Sequence, residues 1–118
     1  MLWKDHVANR VEGWGLPLME AFLAETPVAC SNIRPLGEQA AGAALLFAPD
    51  EPGDIAKALH RLWTDDALRK SLVKQGRERV ALFSWNQTAR IFRAYYRILG
   101  HRTLTEEDRT LLSAAPLV

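Results

Sequence analysis

The sequence predicts the trailing half of an α/β domain with a helix-rich C-terminal end. Two short apolar segments, "TPVACS" at 26–31 and "ALLFA" at 44–48, indicate strands, and helical periodicity follows them to about residue 99. Because two strands do not form a stable open sheet alone, we expect the missing strands of the domain before residue 1. The 118 residues are 48% hydrophobic and 25% charged, which is an ordinary globular composition.

Different signals support the two predicted strands. "TPVACS" is apolar at nearly every position, which is typical of a parallel strand covered on both faces. "ALLFA" is followed by "PDEPGD", a dense turn signal. Between them we expect "NIRPLGEQAAGA" to be a loop with one helical turn near Glu38. At the N-terminus, the spacing of Trp3, Val7 and Val11 allows a short helix.

The helices are predicted from apolar spacing and caps. "LPLMEAFLA" at 16–24 is a short helix that begins with a proline in its first turn. The helices that follow run from about Pro52 to Trp63, from a "TDD" cap at 64–66 to about Val80, and from Ser84 to Gly100. Ser84 and Gln87 match a capping box. The last of these helices carries an apolar stripe of Trp85, Ala89, Phe92, Tyr96 and Leu99.

The domain boundaries follow from this pattern. Residues 1–10 are a poorly defined N-terminal segment, residues 11–100 form the partial domain, and residues 101–118 are an extension that we expect to be partly disordered. Within the extension, Thr105 and Asp108 could cap one more short helix.

Charge and composition exclude several classes of function. The net charge of +1 argues against nucleic-acid and membrane-surface binding, and the locally basic stretch Arg69–Arg79 indicates a solvated helix face. The longest apolar run, at 40–48, is far too short to span a membrane. Cys30, the only cysteine, indicates a core thiol, and the scattered histidines predict no metal site. With no secretory signal in "MLWKDHVANR", we expect a cytoplasmic protein.

The stretch "VEGWGLPLME" at 11–20 is the best candidate for a functional site. The backbone N–H groups of Gly13, Trp14, Gly15 and Leu16 precede a helix and have no partners within it, so an anion such as a pyrophosphate could bind there. Glu12 and Glu20 flank this turn, and a carboxylate can accept hydrogen bonds from two adjacent hydroxyls of a sugar. The order hydroxyl, phosphate, hydroxyl matches a nucleotide sugar.

Taken alone, this stretch also fits an ordinary helix start. Gly-Trp-Gly lacks the third glycine of a dinucleotide fingerprint. Glu20 could be a solvent-facing helix residue, and Glu12 a favourable charge near a helix N-terminus.

A wider resemblance favours the sugar-nucleotide interpretation. "EGWGLPLME" resembles the E-G-[FYW]-G-L-P-x-x-E signature, the E-x7-E motif, of GT-B retaining glycosyltransferases of family 4, the group 1 type. "MEAFLAETPVACSN" is similar to that family's "LEAMACGTPVVASN", and "GRERVALFSWNQTAR" to its closing "R-x-F-S-W-x-x-T-A" segment. The similarity covers about residues 11–99, in order and without large gaps.

The resemblance implies an incomplete Rossmann-like C-terminal half-domain of the GT-B fold. Such enzymes transfer a sugar from a nucleotide-diphosphate-sugar donor with retention of configuration, and no metal or other cofactor is expected. By this likeness Glu12 would contact hydroxyls of the transferred sugar as the catalytic-site residue, and Glu20 would contact the ribose. The turn formed by Gly13, Trp14, Gly15 and Leu16 would meet the sugar and diphosphate.

The sequence departs from the family pattern in three places. Glu25 stands where a glycine is usual, and a left-handed backbone there would cost about 1 kcal/mol. "DHVANRV" at 5–11 replaces the expected strand ahead of the motif. The N-terminal acceptor domain and the basic residues that face the pyrophosphate have no counterpart, and Arg34, the nearest downstream cation, is better explained as a surface-loop residue.

Two hypotheses follow. The first is a piece of a retaining glycosyltransferase that is inactive unless a separate chain supplies the missing N-terminal domain. The second is a non-catalytic remnant that acts as a protein-interaction module, with Trp85, Phe92, Tyr95 and Tyr96 exposing apolar surface to a partner. Neither hypothesis includes a nucleic-acid partner or a membrane-spanning segment.

Overall fold

The computed structural model describes residues 6–7 and 10–114. The chain up to Ala81 forms one compact unit, and the chain from Leu82 forms a second. The elements of the first unit, in chain order, are β1 (His6–Val7), α1 (Leu16–Leu23), β2 (Ala29–Ser31), α2 (Arg34–Ala40), β3 (Leu45–Phe47), α3 (Pro52–Thr64) and α4 (Asp66–Val80). The second unit carries α5 (Trp85–Leu99) and α6 (Glu106–Ser113).

The first unit is built on a parallel sheet of order β1-β2-β3. Ala29 in β2 is the register partner of His6 in β1 and of Leu45 in β3. All three residues of β2 are buried, as its continuous apolar character predicts for a strand covered on both faces. The predicted strands at 26–31 and 44–48 are therefore confirmed, although each is shorter than its apolar segment.

The third strand corrects the interpretation of the N-terminal segment. His6 and Val7 pair in parallel with β2, so these two residues are a strand and not part of a short helix. A strand thus precedes the motif within the segment "DHVANRV", and the expectation that this segment replaces the family's strand is wrong. Trp3 lies outside the described residues.

The segment between β2 and β3 contains more helix than the sequence predicts. It forms helix α2, which has a proline in its first turn and ends where Ala41 adopts a left-handed φ of 46°. Leu36, Gln39 and Ala40 are its buried residues, spaced as on one face of a helix. The loop expected there is wrong, because Pro35 suits a helix start and Gly42, at φ 88°, suits the turn after the helix.

Helix α1 packs on the C-terminal half of α4. Leu18, Met19 and Phe22 are buried as predicted, whereas Leu23, also expected in the interior, is 69% exposed. Phe22 lies against Gly76, where an added Cβ would come within 2.8 Å of the Phe22 Cδ1 atom. Glycine in mid-helix therefore lets the two helices approach closely.

Helices α3 and α4 complete the core under the sheet. A buried cluster joins β2 and β3 to both helices; its members are Ala29, Phe47, Ala58, Leu62 and Leu72. The predicted cap between α3 and α4 is confirmed, because the Asp65 side chain accepts a hydrogen bond from the Leu68 backbone N–H at 2.9 Å. This contact satisfies one of the donors that a helix start leaves without an intrahelical acceptor.

In the second unit, α5 and α6 are joined by ion pairs. Asp108, fully buried, contacts Arg93 at 3.3 Å and also Arg97, and Glu107 contacts Arg93 at 2.8 Å. The predicted cap of α6 is confirmed as a complete capping box between Thr105 and Asp108. Residues 106–113 of the extension are thus helical, and the end at 115–118, which we expected to be frayed, lies outside the described residues.

Helix α5 has the predicted bounds, with Ser84 accepting from the Gln87 N–H at its start and Gly100 at its end. Its apolar stripe does not form a core with α6. Trp85 is 77% exposed, and Phe92, Tyr96 and Leu99 are exposed too. The side of α5 that faces α6 is the one with the arginines and the buried Ala94.

Two absences hold for the part of the chain that the structure describes. Its helices include none with the length and apolar character needed to cross a membrane. Its His, Cys, Asp and Glu side chains form no group of three that could hold a metal ion.

The left-handed residue after α1 provides a stability test. Glu25 has a φ of 54°, as the glycine usual in the family at that position indicates. We expect Glu25→Gly to raise the free energy of unfolding by about 1 kcal/mol, since glycine adopts this φ without strain. The exposed ion pair between Arg77 and Glu25, at 3.4 Å, would offset only a part of this gain.

Glu25→Ala is the matched control, because it removes the same ion pair but keeps the Cβ atom. Chemical denaturation of the two variants and the parent measures the difference. Equal stability of the two variants would show that the backbone at this position is unstrained.

The capping box of α6 predicts that the stability of this helix decreases in acid. Hydrogen bonds from Thr105, first from its backbone N–H, hold the pKa of Asp108 well below its usual range, and Arg97 adds to this effect. A lowered pKa contributes stability above the ordinary Asp value of about 4 and loses it as the pH falls below that value. We therefore expect the amide protection of α6 to decrease with acidification below about pH 4.

Hydrogen exchange of the α6 amides, measured across the acid range, tests this expectation. Asp108→Asn should have lower protection at neutral pH and a smaller decrease in acid, since residue 108 then no longer titrates. Parallel pH curves for parent and variant would contradict the role of Asp108.

Candidate functional site

The predicted motif forms a turn that leads from β1 into α1; residues 12–16 are called the motif turn here. Gly15 occupies the N-cap position of α1, and no side chain caps the helix there. Glu12 is partly exposed within the turn, and Glu20 is exposed one turn into the helix. Trp14 and Leu16 are 40% and 43% exposed, so apolar surface lies beside both carboxylates along the chain.

The expectation that the motif turn offers free amides is wrong at Gly13, Gly15 and Leu16, whose N–H groups have acceptors within the chain. Gly13 donates to the Glu12 Oε1 atom at 3.0 Å, and Leu16 donates to the Trp14 carbonyl at 2.9 Å. Gly15 is buried and donates to the Gln39 Oε1 atom at 2.9 Å. Since Pro17 has no N–H, the start of α1 presents few backbone donors to an anion.

The two glutamates carry the carboxylates of this site. Glu20 has no hydrogen bond or ion pair with another side chain that the structure describes, and Glu12 already accepts from the backbone of its neighbour. Ionised carboxylates are acceptors only, so hydroxyl and amine donors are the groups they can bind. The motif turn is thus better suited to sugar hydroxyls than to phosphate oxygens.

The two glycines of the motif turn have different reasons to be glycine. A Cβ added at Gly15 would lie 2.5 Å from the Leu36 Cδ2 atom and 3.1 Å from the Gln39 Oε1 atom, so packing inside the chain requires glycine. A Cβ added at Gly13 would meet nothing within 4 Å. Gly13 therefore leaves open space beside Glu12, which is where a ligand could approach.

Gln39 is the residue that the sequence reasoning missed. Its side chain is fully buried, and its Nε2 atom donates to the Gly15 carbonyl at 3.2 Å while its Oε1 atom accepts from the Gly15 N–H. The signal was its spacing from Leu36 and Ala40, which places Gln39 on the apolar face of α2. In the loop that the sequence predicts for this segment, a glutamine is expected at the surface.

Arg79 joins this network from α4. Its Nε atom donates to the Gln39 carbonyl at 2.8 Å, and its Nη2 atom donates to the Glu38 carbonyl at 3.1 Å. These carbonyls belong to the last turn of α2, which has no intrahelical donors for them. The prediction that Arg69–Arg79 is a solvated face is thus wrong at Arg79, and also at Arg69, which donates to the carbonyls of Leu62 and Trp63.

Cys30 agrees with its prediction, and Arg34 agrees with it in exposure but not in its expected loop position. Arg34 pairs with Glu38 at 2.9 Å, its side chain is 87% exposed, and it begins α2 instead of lying in a loop. Cys30 is buried in β2, and desolvation raises the pKa of its thiol to about 11. The thiol is therefore neutral at physiological pH, as expected for a core residue and not for a nucleophile.

The contrast between the glycines predicts two different stability effects. Gly15→Ala should lower the free energy of unfolding by about 2 kcal/mol, because Leu36 and Gln39 would have to move. Gly13→Ala should change it by less than about 0.5 kcal/mol, since the site is open and its φ lies outside the left-handed region. Chemical denaturation of both variants measures these effects, and similar losses would contradict the packing argument.

Comparison with known proteins gives this site a context. A family model described as glycosyl transferases group 1 matches residues 6–79. The O-antigen chain mannosyltransferase B of Escherichia coli is 34% identical over 85 residues, which are 71% of this chain and 22% of that protein. The D-inositol 3-phosphate glycosyltransferase of Corynebacterium jeikeium is 32% identical over 96 residues, or 77% of this chain and 23% of that protein.

A solved structure agrees with these sequences. Sucrose-phosphate synthase from Thermosynechococcus elongatus superposes with a TM-score of 0.73 at 34% identity, covering 81% of this chain and 25% of that one. The expected helix-rich α/β fold with a short parallel sheet, the Rossmann-like type of GT-B glycosyltransferases, is thereby confirmed. The chain spans about a quarter of the length of each of these relatives. With the family model covering most of its length, the chain belongs to the group 1 glycosyltransferases.

Proposed function

We propose that the motif turn is part of the donor site of a glycosyltransferase that transfers a sugar from a nucleotide-diphosphate sugar with retention of configuration. The observation that carries this proposal is the open space at Gly13, next to Glu12 in the chain and followed by the exposed Glu20 on α1. Packing within the chain does not explain why residue 13 is a glycine. Close approach of a ligand would explain it.

Glu12 and Glu20 contact different parts of the donor. Glu12 accepts hydrogen bonds from hydroxyls of the transferred sugar, and Glu20 accepts from the ribose hydroxyls. The exposed rings and methyl groups of Trp14 and Leu16 cover the apolar faces of the ligand. Gly15 holds the turn instead of contacting the diphosphate, because both of its backbone polar groups bond to Gln39.

The diphosphate needs charge stabilisation from elsewhere. The leaving nucleotide diphosphate gains negative charge as the glycosidic bond breaks, and cations or oriented donors must stabilise it. The motif turn provides few of these, so a separate chain or segment with the N-terminal domain is required for transfer. We propose that the 118-residue chain alone has little or no transferase activity and acts in the cytoplasm without a metal cofactor.

The relatives suggest a hexose as the transferred sugar. One is a mannosyltransferase by name, and another is a synthase of sucrose phosphate. Their named acceptors and products differ, but mannose and the two units of sucrose are all hexoses. A nucleotide-activated hexose is therefore the donor class to test first.

The alternative is a non-catalytic module that binds a partner protein. The exposed stripe of α5, with Trp85, Phe92 and Tyr96, supports this alternative, because exposed aromatic clusters are frequent at protein interfaces. Under this hypothesis the motif turn is inherited and binds no nucleotide.

A ligand titration followed by NMR separates the two hypotheses. The 118-residue chain, labelled with nitrogen-15, is titrated with UDP, GDP, ADP and their hexose conjugates up to about 10 mM, which detects even millimolar affinity. We expect shifts of the amides of residues 12–20 with at least one conjugate. Glu20→Ala should weaken this binding to nucleotide and conjugate alike, whereas Glu12→Ala should affect only the conjugate.

Glu106→Ala is the matched control, because Glu106 is an exposed glutamate in the first turn of α6 in the other unit. It should leave the titration unchanged. If no compound shifts the amides of residues 12–20 in the parent chain, the chain has no donor half-site of its own and the interaction module becomes the better explanation.

A further inference from the structure

We propose that Gln39 is a positioning residue that sets the conformation of the motif turn and thereby the placement of Glu12 and Glu20, and that Arg79 supports it from α4. Neither residue contacts the proposed donor. The inference rests on the proposed function for its biological meaning, but its physical content, control of the turn by two distant side chains, can be tested without any ligand.

The first step is the pair of bonds between Gln39 and Gly15. A primary amide has both a donor and an acceptor, and here they meet the carbonyl and the N–H of the same glycine, at 3.2 Å and 2.9 Å. Both partners are buried, so water cannot replace either bond without opening the packing. Gly15 is therefore held at two points by a residue 24 positions away in sequence.

The second step is the location of Gly15. It follows Glu12 by three residues and precedes Glu20 by five, and it is the residue at which the turn becomes helix α1. A change in its backbone angles rotates the turn that carries Glu12 relative to the helix that carries Glu20. The distance between the two carboxylates thus depends on the bonds that Gly15 makes.

The third step is the support of Gln39 itself. Gln39 is in the last turn of α2, where its carbonyl and that of Glu38 accept hydrogen bonds from Arg79. Arg79 is in the last turn of α4. A continuous series of bonds therefore runs from α4 through the end of α2 to the motif turn.

Position 39 favours a side chain that can both donate and accept a hydrogen bond. An apolar side chain of similar length would leave the Gly15 N–H buried without a partner, which is costly. The Gly15 carbonyl would lose one donor but would still accept from the Leu18 N–H at 3.1 Å. An ionised carboxylate could accept from the N–H but would face the carbonyl oxygen with no donor. A protonated carboxyl group has one donor and one acceptor and could replace the amide, so Gln39→Glu should behave like the parent only when protonated.

The charged groups around this position affect how Gln39→Glu titrates. Burial raises the pKa of the introduced carboxyl group, and the Arg79 guanidinium at the end of α2 lowers it. The carboxylate of Glu38, next in sequence, raises it, and the ion pair of Glu38 with Arg34 at 2.9 Å reduces this effect.

The experiment uses the whole chain without ligand, as parent, Gln39→Glu and Gln39→Met. At neutral pH both variants should shift the amides of residues 12–20, and the Gly15 amide should exchange roughly tenfold faster. On acidification the Gln39→Glu spectrum should return toward that of the parent, and the Gln39→Met spectrum should not. The parent, titrated in parallel, corrects for protonation of Glu12 and Glu20.

Two results would overturn the inference: parent-like shifts and Gly15 exchange in both variants at neutral pH, or a Gln39→Glu spectrum that does not move toward the parent in acid. If Gln39→Met does not fold, Arg79→Met takes its place. It removes the support but leaves the two bonds to Gly15, so it should accelerate Gly15 exchange by a smaller, roughly threefold factor. Unchanged exchange in Arg79→Met would contradict the role of α4.

The ligand titration then separates this inference from the proposed function. If the parent binds a nucleotide sugar, Gln39→Glu should lose that binding at neutral pH and regain it in acid. Unaltered binding in Gln39→Glu at neutral pH would contradict the positioning role alone. A parent that binds nothing would contradict the donor site alone, and the ligand-free spectra would still decide the role of Gln39.

Discussion

The two hydrogen bonds between the Gln39 side chain and the backbone of Gly15 are the constraint on which the candidate site depends. They join the end of α2 to the start of α1, two elements that flank β2 in the chain, and they occupy the glycine that the sequence marked as a ligand contact. The groups left to contact a ligand are therefore the carboxylates of Glu12 and Glu20 and the exposed Gly13. A turn held from inside the chain presents side chains to a ligand more than it presents backbone.

Much of the fold was predictable because its signals are local. The strands β2 and β3, the Asp65 cap and the helices α3, α4 and α5 each follow from apolar spacing or capping residues within a short window. Helix α2 was missed since its proline and glycine suggest a loop, and its buried face becomes visible only when Leu36 and Gln39 are placed on one helix. Strand β1 was missed for a different reason, because two residues carry no periodicity and pairing with β2 decides their conformation.

The site was predictable in its residues but not in its hydrogen bonding. Glu12 and Glu20 could be selected from their spacing around the glycines, and the structure leaves both in exposed or partly exposed positions. Partners of backbone amides are a tertiary property, so no local pattern shows that Gly15 is taken by a residue 24 positions later. The left-handed backbone of Glu25 lies between these cases, since family likeness marked the position and only the structure shows its φ.

The contact of Gly76 with Phe22 has a consequence for how this sequence can diverge. Alanine is the better helix former in the middle of α4, yet an added methyl group would come within 2.8 Å of the aromatic ring. Any larger residue at position 76 therefore requires a smaller one at position 22, or a wider separation of the two helices. The two positions should covary among related chains, with the summed volume of the pair conserved more strongly than either residue.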